Sequence, residues 1–261
     1  MFITLEGGEG SGKSTQAKLL TKWLRKELHM IVLLTREPGG GTEIGEQIHR
    51  TVHSQRTVEE LAEEYRKSDP IFSRQLRRIL LHIESAKLDP VVEALLYSAD
   101  RKEHVPIIKD SLERGWIVVS DRFLDSTTVY QGYGHGVDLK FIKTLHRHVV
   151  EDCLPDLTIY LDVDPEEGLR RARQRNRRRR TSEREGRFEA KRLDFHQKVR
   201  DGYLELARQE PDRVRVVDGG SSVETVQERV REIAGSCIRD LTLKEPHRIY
   251  KASKLKKSRG R

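Results

Sequence analysis

The residues whose chemistry is easiest to recognise stand near the N-terminus, at positions 7–14. Their order fits the pattern G-x-x-x-x-G-K-[ST], follows the apolar stretch 2–5 and opens a helical pattern, which is the context in which this motif binds phosphate. Backbone N–H groups of such a loop turn toward phosphate oxygens, Lys13 reaches the β- and γ-phosphates, and the Ser14 hydroxyl ligates Mg²⁺. The predicted ATP-binding loop comprises Gly7, Gly8, Glu9, Gly10, Ser11, Gly12, Lys13, Ser14 and Thr15.

A second candidate follows the apolar stretch 117–119, where Asp121 and Arg122 stand side by side. Open parallel sheets bind ligands at the carboxyl ends of their strands, and an aspartate at such an end beside a phosphate loop usually holds Mg²⁺, directly or through water. We therefore predict that Ser14 and Asp121 bind the Mg²⁺ that accompanies ATP. The simpler interpretation, an ordinary Asp-Arg pair at the start of a loop, requires the phosphate loop to be a coincidence.

Five short stretches rich in Val, Ile and Leu must position these residues, and helical patterns separate them. The stretches are residues 2–5, 31–34, 117–119, 157–163 and 214–217. This alternation favours an α/β fold, a parallel sheet of the P-loop NTPase type with helices on both faces. The buried apolar stripe of the helix that begins near residue 91 is predicted to consist of Val91, Val92, Leu95, Leu96 and Ala99.

Length and composition limit what the chain can be. Its 261 residues, 35% apolar and 35% charged, suffice for one domain, which we predict to span residues 1–243. The aliphatic runs are too short to cross a bilayer and the N-terminus has no signal-peptide pattern, so we expect a cytoplasmic protein that does not bind membranes. Cys153 and Cys237 cannot make a disulfide framework and are expected to be reduced, packed thiols.

Positive charge is concentrated in two segments. Residues 244–261 hold eight Lys or Arg against one Glu, whereas residues 1–243 carry a net charge of only +1. We predict that this basic tail is disordered and weakly attracts nucleic acid or other polyanions without sequence preference, although a tail serving solubility alone is an equally good interpretation. Residues 175–187 hold seven Arg and two Glu, between a helix that begins near residue 166 and its continuation over 188–209.

Six motifs stand in a fixed order along the chain. They are LEGGEGSGKST at 5–15, TREPGG at 35–40, LLYSADR at 95–101, DRF at 121–123, YQG at 130–132 and YLDV at 160–163. Together they resemble the bacterial thymidylate kinase family, which are nucleoside monophosphate kinases, over most of residues 1–220. The phosphate loop alone is shared with many unrelated enzymes, whereas the combination of REPGG with DRF and YQG is much more specific.

The resemblance implies roles for individual residues in an acceptor site for dTMP. It places Arg36 and Arg122 around the acceptor phosphate and Tyr97 against the thymine ring, with Arg101 and Thr127 at the polar edge of that ring. From the residues alone, Tyr97 could equally be an ordinary core aromatic, because it lies in an amphipathic helical pattern.

The resemblance also assigns three residues around the sugar. It places Glu9 near the 3′-hydroxyl of the deoxyribose, Tyr130 where a ribose 2′-hydroxyl would otherwise sit, and Gln131 in the same dTMP site. A bulky ring at C2′ excludes ribonucleotides, so this arrangement is physically coherent.

A mobile Arg-rich lid that closes over ATP is a further feature that the resemblance implies, here at about residues 175–187. In family members that lack an Arg in the phosphate loop, the lid supplies the catalytic Arg, and here Gly10 occupies that loop position. Arg175 is the first choice, with Arg184 or Arg187 as the second. The predicted catalytic residues are Lys13, Arg122 and Arg175.

The connection between residues 42 and 95 is longer than the resemblance leads us to expect. Residues 47–52 and 75–80 are two versions of one helical segment, so we predict a helical insertion at about residues 48–75. A lengthened helix pair without a function is the simpler interpretation, because surface insertions cost little free energy.

The resemblance implies transfer of the γ-phosphoryl group of MgATP to the 5′-phosphate of dTMP, giving dTDP and ADP, by a homodimer. Two alternatives stay open. A kinase of the same fold could act on another nucleoside monophosphate or on a deoxynucleoside, and the latter would need a carboxylate base, for which Glu37 is the obvious candidate. A nucleic-acid-dependent P-loop ATPase would suit the net charge of +8, but residues 1–243 offer no aromatic platform interleaved with basic residues.

Overall fold

The computed structural model describes residues 1–38, 89–179 and 191–245. Its five strands form a parallel sheet in the order β2-β3-β1-β4-β5. Each strand overlaps one of the apolar stretches, so the predicted parallel sheet is confirmed. The strands are β1 (Phe2–Glu6), β2 (Val32–Arg36), β3 (Ile117–Asp121), β4 (Leu157–Asp162) and β5 (Val214–Asp218).

Helices alternate with these strands along the chain. They are α1 (Lys13–Lys26), α2 (Pro90–Glu113), α3 (Leu124–Thr127), which continues into a π-helical turn (Thr128–Gly134), α4 (Leu139–Val150), α5 (Pro165–Arg179), α6 (Leu193–Gln209) and α7 (Val223–Lys244). Side-chain caps start several of them: Asp89 accepts a hydrogen bond from the Val91 N–H, Asp138 accepts one from the Lys140 N–H, and Ser222 accepts one from the Thr225 N–H. Within the described ranges, none of the helices has the length and apolar character needed to cross a membrane.

Alternate side chains of β1 face opposite sides of the sheet. Ile3 and Leu5 pack in a core cluster with apolar residues of α1 and α7, whereas Phe2 packs in a second cluster with residues of α2 and α4. Helices therefore cover both faces of the sheet, as predicted. Burial on both faces also explains why the strands are almost continuously apolar.

Parallel pairing brings the carboxyl ends of β1, β2 and β3 to one edge of the sheet. In the register of the sheet, Leu5 stands beside Asp121, and Asp121 stands beside Arg36. The phosphate loop leaves β1 at this same edge and leads into α1. The topology thus delivers the phosphate loop, Asp121 and Arg36 to the edge where open α/β sheets bind ligands.

The predicted apolar stripe of α2 is wrong. Val91, Val92 and Leu95 are 39, 42 and 45% exposed, and Leu96 and Ala99 are only half-buried. The buried side of α2 is mostly polar as far as His104, with Glu93, Ser98, Asp100, Arg101 and His104, whereas Val105 and Ile108 further along pack in the apolar cluster around Phe2. An apolar period identifies the inward side of a helix only where the helix packs on an apolar core, and the part of α2 before Val105 buries mainly polar side chains.

The helix before the Arg-rich segment is longer than predicted. α5 continues through Arg179, so residues 175–179 are helical rather than a link between two helices, in keeping with the high helix propensity of arginine. The next described helix begins at Leu193, not at residue 188, and residues 191–192 are not helical. The disordered tail was predicted to begin at residue 244, but α7 continues through Lys244. The predicted insertion at 48–75, the lid residues 180–187 and the rest of the basic tail from residue 246 lie outside the described residues.

Both cysteines are free thiols, as predicted. Cys153 is buried among the apolar side chains that separate the sheet from α2 and α4, and Cys237 is half-buried. Burial raises the pKa of Cys153 to about 12 and also raises the pKa of Cys237. Neither side chain therefore forms a reactive thiolate at neutral pH.

His146 on α4 makes the fold sensitive to acid. Its imidazole is 8% exposed, and Nε2 lies 3.0 Å from the hydroxyl oxygen of Thr128. Burial, assisted by the charge of Arg101, lowers the pKa of His146 from 6.5 to about 3. Below about pH 6.5 the unfolded chain therefore binds a proton that the folded chain does not, and stability falls with pH. We expect the free energy of unfolding to fall by about 1 kcal/mol because of His146 when the pH is lowered from about 7 to about 5.5.

Urea unfolding at these two pH values tests this expectation with the variant His146→Gln. Glutamine keeps a hydrogen-bonding group for Thr128 but does not titrate, so the variant should lose less stability on acidification, by about 1 kcal/mol. An equal loss in both proteins would contradict the assignment to His146.

Candidate active site

The ammonium group of Lys13 lies against the backbone of its own phosphate loop. Gly12, at φ 89°, precedes the first residue of α1, Lys13, and this left-handed conformation is one that glycine adopts without strain. The Lys13 side chain folds back, so that Nζ donates to the Gly8 carbonyl oxygen at 3.0 Å. Burial and the nearby Arg122 cation lower the pKa of Lys13 to about 8, against the opposing effect of carboxylates such as Glu9.

The N-terminal turn of α5 lies directly against the phosphate loop. A Cβ atom on Gly10 would stand 2.0 Å from the Gly168 carbonyl oxygen, and one on Gly168 would stand 2.4 Å from the Glu9 carbonyl oxygen. Both distances are far below van der Waals contact, so neither glycine can be replaced without moving the backbone. The loop therefore cannot carry an arginine at position 10, and the helix that carries Arg175 is fixed against the loop.

Ser14 and Asp121 meet at the place predicted for Mg²⁺. The Ser14 hydroxyl donates to Asp121 Oδ2, while Asp121 Oδ1 is buried and has no hydrogen-bond partner. In the described part of the chain, no cluster of three or more His, Cys, Asp or Glu could hold a metal. One carboxylate and one hydroxyl are a suitable protein contribution for Mg²⁺, which takes its other ligands from phosphates and water. The residues present fit the predicted ion.

Arg122 is the centre of a charged cluster beside the loop. Its Nη2 lies 3.0 Å from Glu9 Oε1 and 3.2 Å from the Tyr130 hydroxyl oxygen, and its Nη1 lies 3.4 Å from the Gly7 carbonyl oxygen. The guanidinium carbon also stands 4.9 Å from the centroid of the Tyr130 ring. Tyr130 completes the cluster by donating its hydroxyl to Glu9 Oε1 at 3.1 Å.

Glu9 stays ionised within this cluster. Burial alone would raise its pKa, but the charges of Lys13 and Arg122, the hydrogen bond from Tyr130 and the charge of Arg175 together lower the pKa below its ordinary value. The effect of Arg175 on Glu9 shows that this α5 residue lies within electrostatic range of the loop. All three candidate catalytic cations thus act on one carboxylate.

Arg101 occupies a buried pocket at the inner side of α2. The side chain is 2% exposed, and its Nε donates to Glu37 Oε2 at 2.8 Å. Its Nη2 donates to Thr127 Oγ1 and to the Phe123 carbonyl oxygen, both at 3.1 Å. Nη1 is buried without a hydrogen-bond partner, so its N–H groups remain for a ligand. The other oxygen of Glu37 lies 3.0 Å from His104 Nδ1.

Tyr97 lies within electrostatic range of Arg122 and Glu9. It precedes Arg101 by one helical turn and is half-buried. Burial raises its pKa to about 12, and the charges of Arg122 and Glu9 also act on it. A half-exposed ring near two charged side chains favours a binding role over the interpretation as a core aromatic.

Gln131 and Arg36 make no described contact with the Arg122 cluster. Gln131 is 1% exposed, and its Nε2 donates to Glu93 Oε2 at 2.8 Å, so this amide is hydrogen-bonded within the protein. Arg36 is exposed at the end of β2, beside Asp121 in the register of the sheet.

Sequence reasoning missed Glu6 and His104 and treated Glu37 only as a candidate base. His104 follows Tyr97 and Arg101 by seven and three residues, a spacing that puts all three on one helical face and could have been noticed. Glu6 closes a buried apolar strand, which is an unusual place for a carboxylate.

Known proteins resemble this chain over nearly its whole length. The family model for thymidylate kinase matches residues 5–66 and 65–230. The thymidylate kinase of Syntrophotalea carbinolica is 44% identical over 230 residues, covering 88% of this chain and 92% of that relative. The one from Nitratidesulfovibrio vulgaris (strain Miyazaki F) is 43% identical over 239 residues, covering 91% and 97%. The crystal structure of thymidylate kinase from Ehrlichia chaffeensis matches with a TM-score of 0.62 and 32% identity, over 90% of this chain and 98% of that one. Since these matches extend from the phosphate loop to α7, the chain belongs to the thymidylate kinase family.

Proposed function

We propose that the site transfers the γ-phosphoryl group of ATP to the 5′-phosphate of dTMP, giving dTDP and ADP. The proposal is carried by the closeness of Arg122 to the phosphate loop, with Nη1 3.4 Å from the Gly7 carbonyl oxygen. A cation suited to the acceptor phosphate thereby stands next to the loop suited to the donor. Phosphoryl transfer between two polyanions needs this arrangement.

The acceptor needs no general base. The second pKa of a phosphate monoester is about 6, so its oxygen is already largely ionised at pH 7. A deoxynucleoside hydroxyl would instead need a carboxylate base, and both oxygens of the candidate, Glu37, are bonded, one to Arg101 and one to His104. The bonding of Glu37 therefore argues against the deoxynucleoside kinase alternative.

Catalysis then consists of holding the two phosphate groups in line and neutralising their charge. Lys13 neutralises the β- and γ-phosphates, Arg122 holds the acceptor phosphate, with Arg36 at its outer side, and Arg175 reaches the transferring group from α5. A Mg²⁺ ion held by Ser14 and Asp121 would add further neutralisation when bound with ATP.

The nucleoside of dTMP is proposed to lie between the Arg122 cluster and α2. Tyr97 stacks against thymine, and the unpartnered Nη1 of Arg101 donates to an oxygen at the polar edge of the ring, with Thr127 beside it. Glu9 accepts the 3′-hydroxyl of the sugar. Gln131 supports the residues of this site through its buried hydrogen bond to Glu93 on α2.

Tyr130 is expected to set the preference for deoxyribose. Its ring lies under the Arg122 guanidinium and its hydroxyl is held by Glu9 and Arg122, so it cannot swing aside to admit a 2′-hydroxyl. Tyr130→Ala should weaken discrimination between dTMP and its ribonucleotide counterpart by about 1–3 kcal/mol. Ratios of kcat/KM for the two acceptors measure the effect.

Tyr130→Phe is the matched control, because it removes the hydroxyl and keeps the ring. It should retain discrimination if the ring acts sterically, even where its kcat falls. If wild-type enzyme accepts both nucleotides equally, Tyr130 has no such role.

A screen of ATP consumption against the common nucleoside monophosphates and thymidine, with and without DNA, tests the proposed reaction. We expect turnover with dTMP and no stimulation by DNA. Turnover that prefers another monophosphate or thymidine would establish one alternative, and DNA-dependent turnover without any acceptor would establish the other.

We also propose that the protein is a homodimer. Val91, Val92 and Leu95 form an exposed apolar patch on α2, of a kind that usually marks a protein interface. Sedimentation velocity would measure the assembly. The cytoplasmic location, the lid mobility and the polyanion binding of the tail stay predictions.

A further inference from the structure

Glu6 is a buried carboxylate without a part in the chemistry derived above. It is the last residue of β1 and is completely buried. Its Oε1 accepts the Phe123 backbone N–H at 2.7 Å, and its Oε2 accepts the Ser126 hydroxyl at 2.6 Å and the Tyr203 hydroxyl at 2.8 Å. Phe123 lies between β3 and α3, Ser126 lies in α3, and Tyr203 lies in α6.

Keeping a carboxylate at this place is costly for the fold. Burial and the charge of Asp125 raise the pKa of Glu6 to about 7, against the opposing charge of Arg122. An apolar residue would close an apolar strand at less cost, since buried charges are seldom stabilising in themselves. The three hydrogen bonds therefore indicate what the carboxylate is retained for.

The backbone around Arg122 is the first thing that Glu6 holds. Arg122 has a φ of 73°, a conformation that side-chain-bearing residues keep only when neighbouring groups impose it. The Arg122 N–H donates to the Leu5 carbonyl oxygen at 3.0 Å, its carbonyl accepts the Ser120 hydroxyl at 2.7 Å, and the next N–H, of Phe123, goes to Glu6. Glu6 thus fixes the peptide group that follows the strained residue.

Glu6 also holds the guanidinium group of Arg122. Its Nη1 donates to Ser126 Oγ at 3.0 Å, and the same hydroxyl donates onward to Glu6 Oε2 at 2.6 Å. One carboxylate therefore orients Arg122 both through the backbone of Phe123 and through the hydroxyl of Ser126.

We propose that Glu6 is a positioning residue that aims Arg122 at the acceptor phosphate, through Phe123 and Ser126. This inference rests on the proposed function, because that function assigns Arg122 to the phosphate of dTMP. It predicts that a change at Glu6 affects only the part of the binding free energy that comes from the 5′-phosphate. Loss of Glu6 should weaken the binding of ligands that carry the 5′-phosphate. The binding of thymidine, which lacks the phosphate, should not change.

Binding of dTMP and of thymidine to Glu6→Gln, measured by calorimetry, tests this inference. Glutamine keeps one oxygen for the Phe123 N–H but presents an NH₂ group to Ser126, so the charge-assisted hydrogen bond that the Ser126 hydroxyl donates to Glu6 Oε2 is lost. We expect the Kd of dTMP to rise about tenfold and the Kd of thymidine to stay within about twofold, since a small misplacement of a positioned group has an effect of this size or larger. Equal losses for both ligands, or no loss for either, overturn the inference.

Ser126→Ala is a second test that does not place a new group in the core. It removes the bridge between Glu6 and the Arg122 head, so it should also weaken dTMP selectively. If Glu6→Gln does not fold, this variant decides alone, and equal effects on both ligands overturn the inference. Tyr203→Phe is the control, because it removes the hydrogen bond to Glu6 Oε2 and a 3.2 Å contact with the Ser126 hydroxyl but keeps the contacts of Glu6 to Phe123 and Ser126, the bond of Ser126 to Arg122 and the stacking on Tyr160. It should leave both Kd values within about twofold of wild type.

Arg122→Lys distinguishes a failure of the role proposed for Glu6 from a failure of the role proposed for Arg122. If it weakens dTMP but not thymidine while Glu6→Gln and Ser126→Ala do not, the role of Glu6 is wrong and the role of Arg122 stands. If Arg122→Lys itself does not distinguish the ligands, the assignment of Arg122 is wrong, and the inference about Glu6 is overturned with it.

Discussion

Replacing Lys13 with alanine is expected to lower kcat by about 10³-fold or more, because the lysine neutralises charge that builds on the transferring phosphoryl group. The structure gives this lysine a defined position, since Nζ is held over the loop by the Gly8 carbonyl oxygen at 3.0 Å. The buried ammonium group makes this one described hydrogen bond and is disfavoured by burial and by the Arg122 cation, so its loss should change the free energy of unfolding by no more than about 1 kcal/mol.

Steady-state kcat at saturating ATP and dTMP, together with urea unfolding, measures both halves of this expectation. Lys18→Ala is the matched control, because Lys18 is an exposed lysine of the same helix and its loss should leave kcat unchanged. A folded Lys13→Ala protein with wild-type kcat would show that residues 7–15 do not bind the donor phosphates.

The phosphate loop and the sheet could be predicted because their signals are local. A loop motif lies within nine consecutive residues, 7–15, and a strand buried on both faces appears as one short apolar run. Parallel topology then places the carboxyl ends of β1, β2 and β3 together. The meeting of the loop with Asp121 and Arg122 therefore followed from the sequence.

The polar side of α2 could not be predicted in the same way. Arg101 and His104 are buried because their partners arrive from elsewhere: Glu37 is 64 residues from Arg101 and 67 from His104, and Thr127 is 26 from Arg101. Local periodicity does not contain these partners, so the apolar residues Val91 and Leu95 were wrongly expected to be buried. The inward face is decided by which polar groups can be satisfied after folding.

The Gly10–Gly168 contact could not be predicted from the local sequence either. The sequence showed that position 10 lacks a side chain, and the resemblance explained this by an arginine supplied from the lid. The structure adds a steric cause, because the first turn of α5 occupies the space that a Cβ atom on Gly10 would need. Contact between the loop and α5 joins residues about 160 positions apart, which no local pattern records.

That contact leads to the second large expected effect, on Arg175. With Gly10 and Gly168 in contact, the start of α5 is fixed against the loop, and Arg175 lies two turns further along, where its charge already lowers the pKa of Glu9. An arginine fixed near the loop can neutralise the transferring group without help from position 10. Arg175→Ala should therefore lower kcat by about 10²-fold or more, with a change of less than about threefold in the KM for dTMP.

Arg173→Ala provides the comparison for Arg175→Ala, because Arg173 lies on the same helix, is exposed and carries the same charge. It should keep kcat within about twofold of wild type, since an exposed and solvated cation contributes little through screened solvent. A selective loss in Arg175→Ala would identify this residue as the cation that replaces a phosphate-loop arginine. Equal kcat in the wild type and both variants would instead move that role to Arg184 or Arg187, and alanine at each of those positions would then locate it.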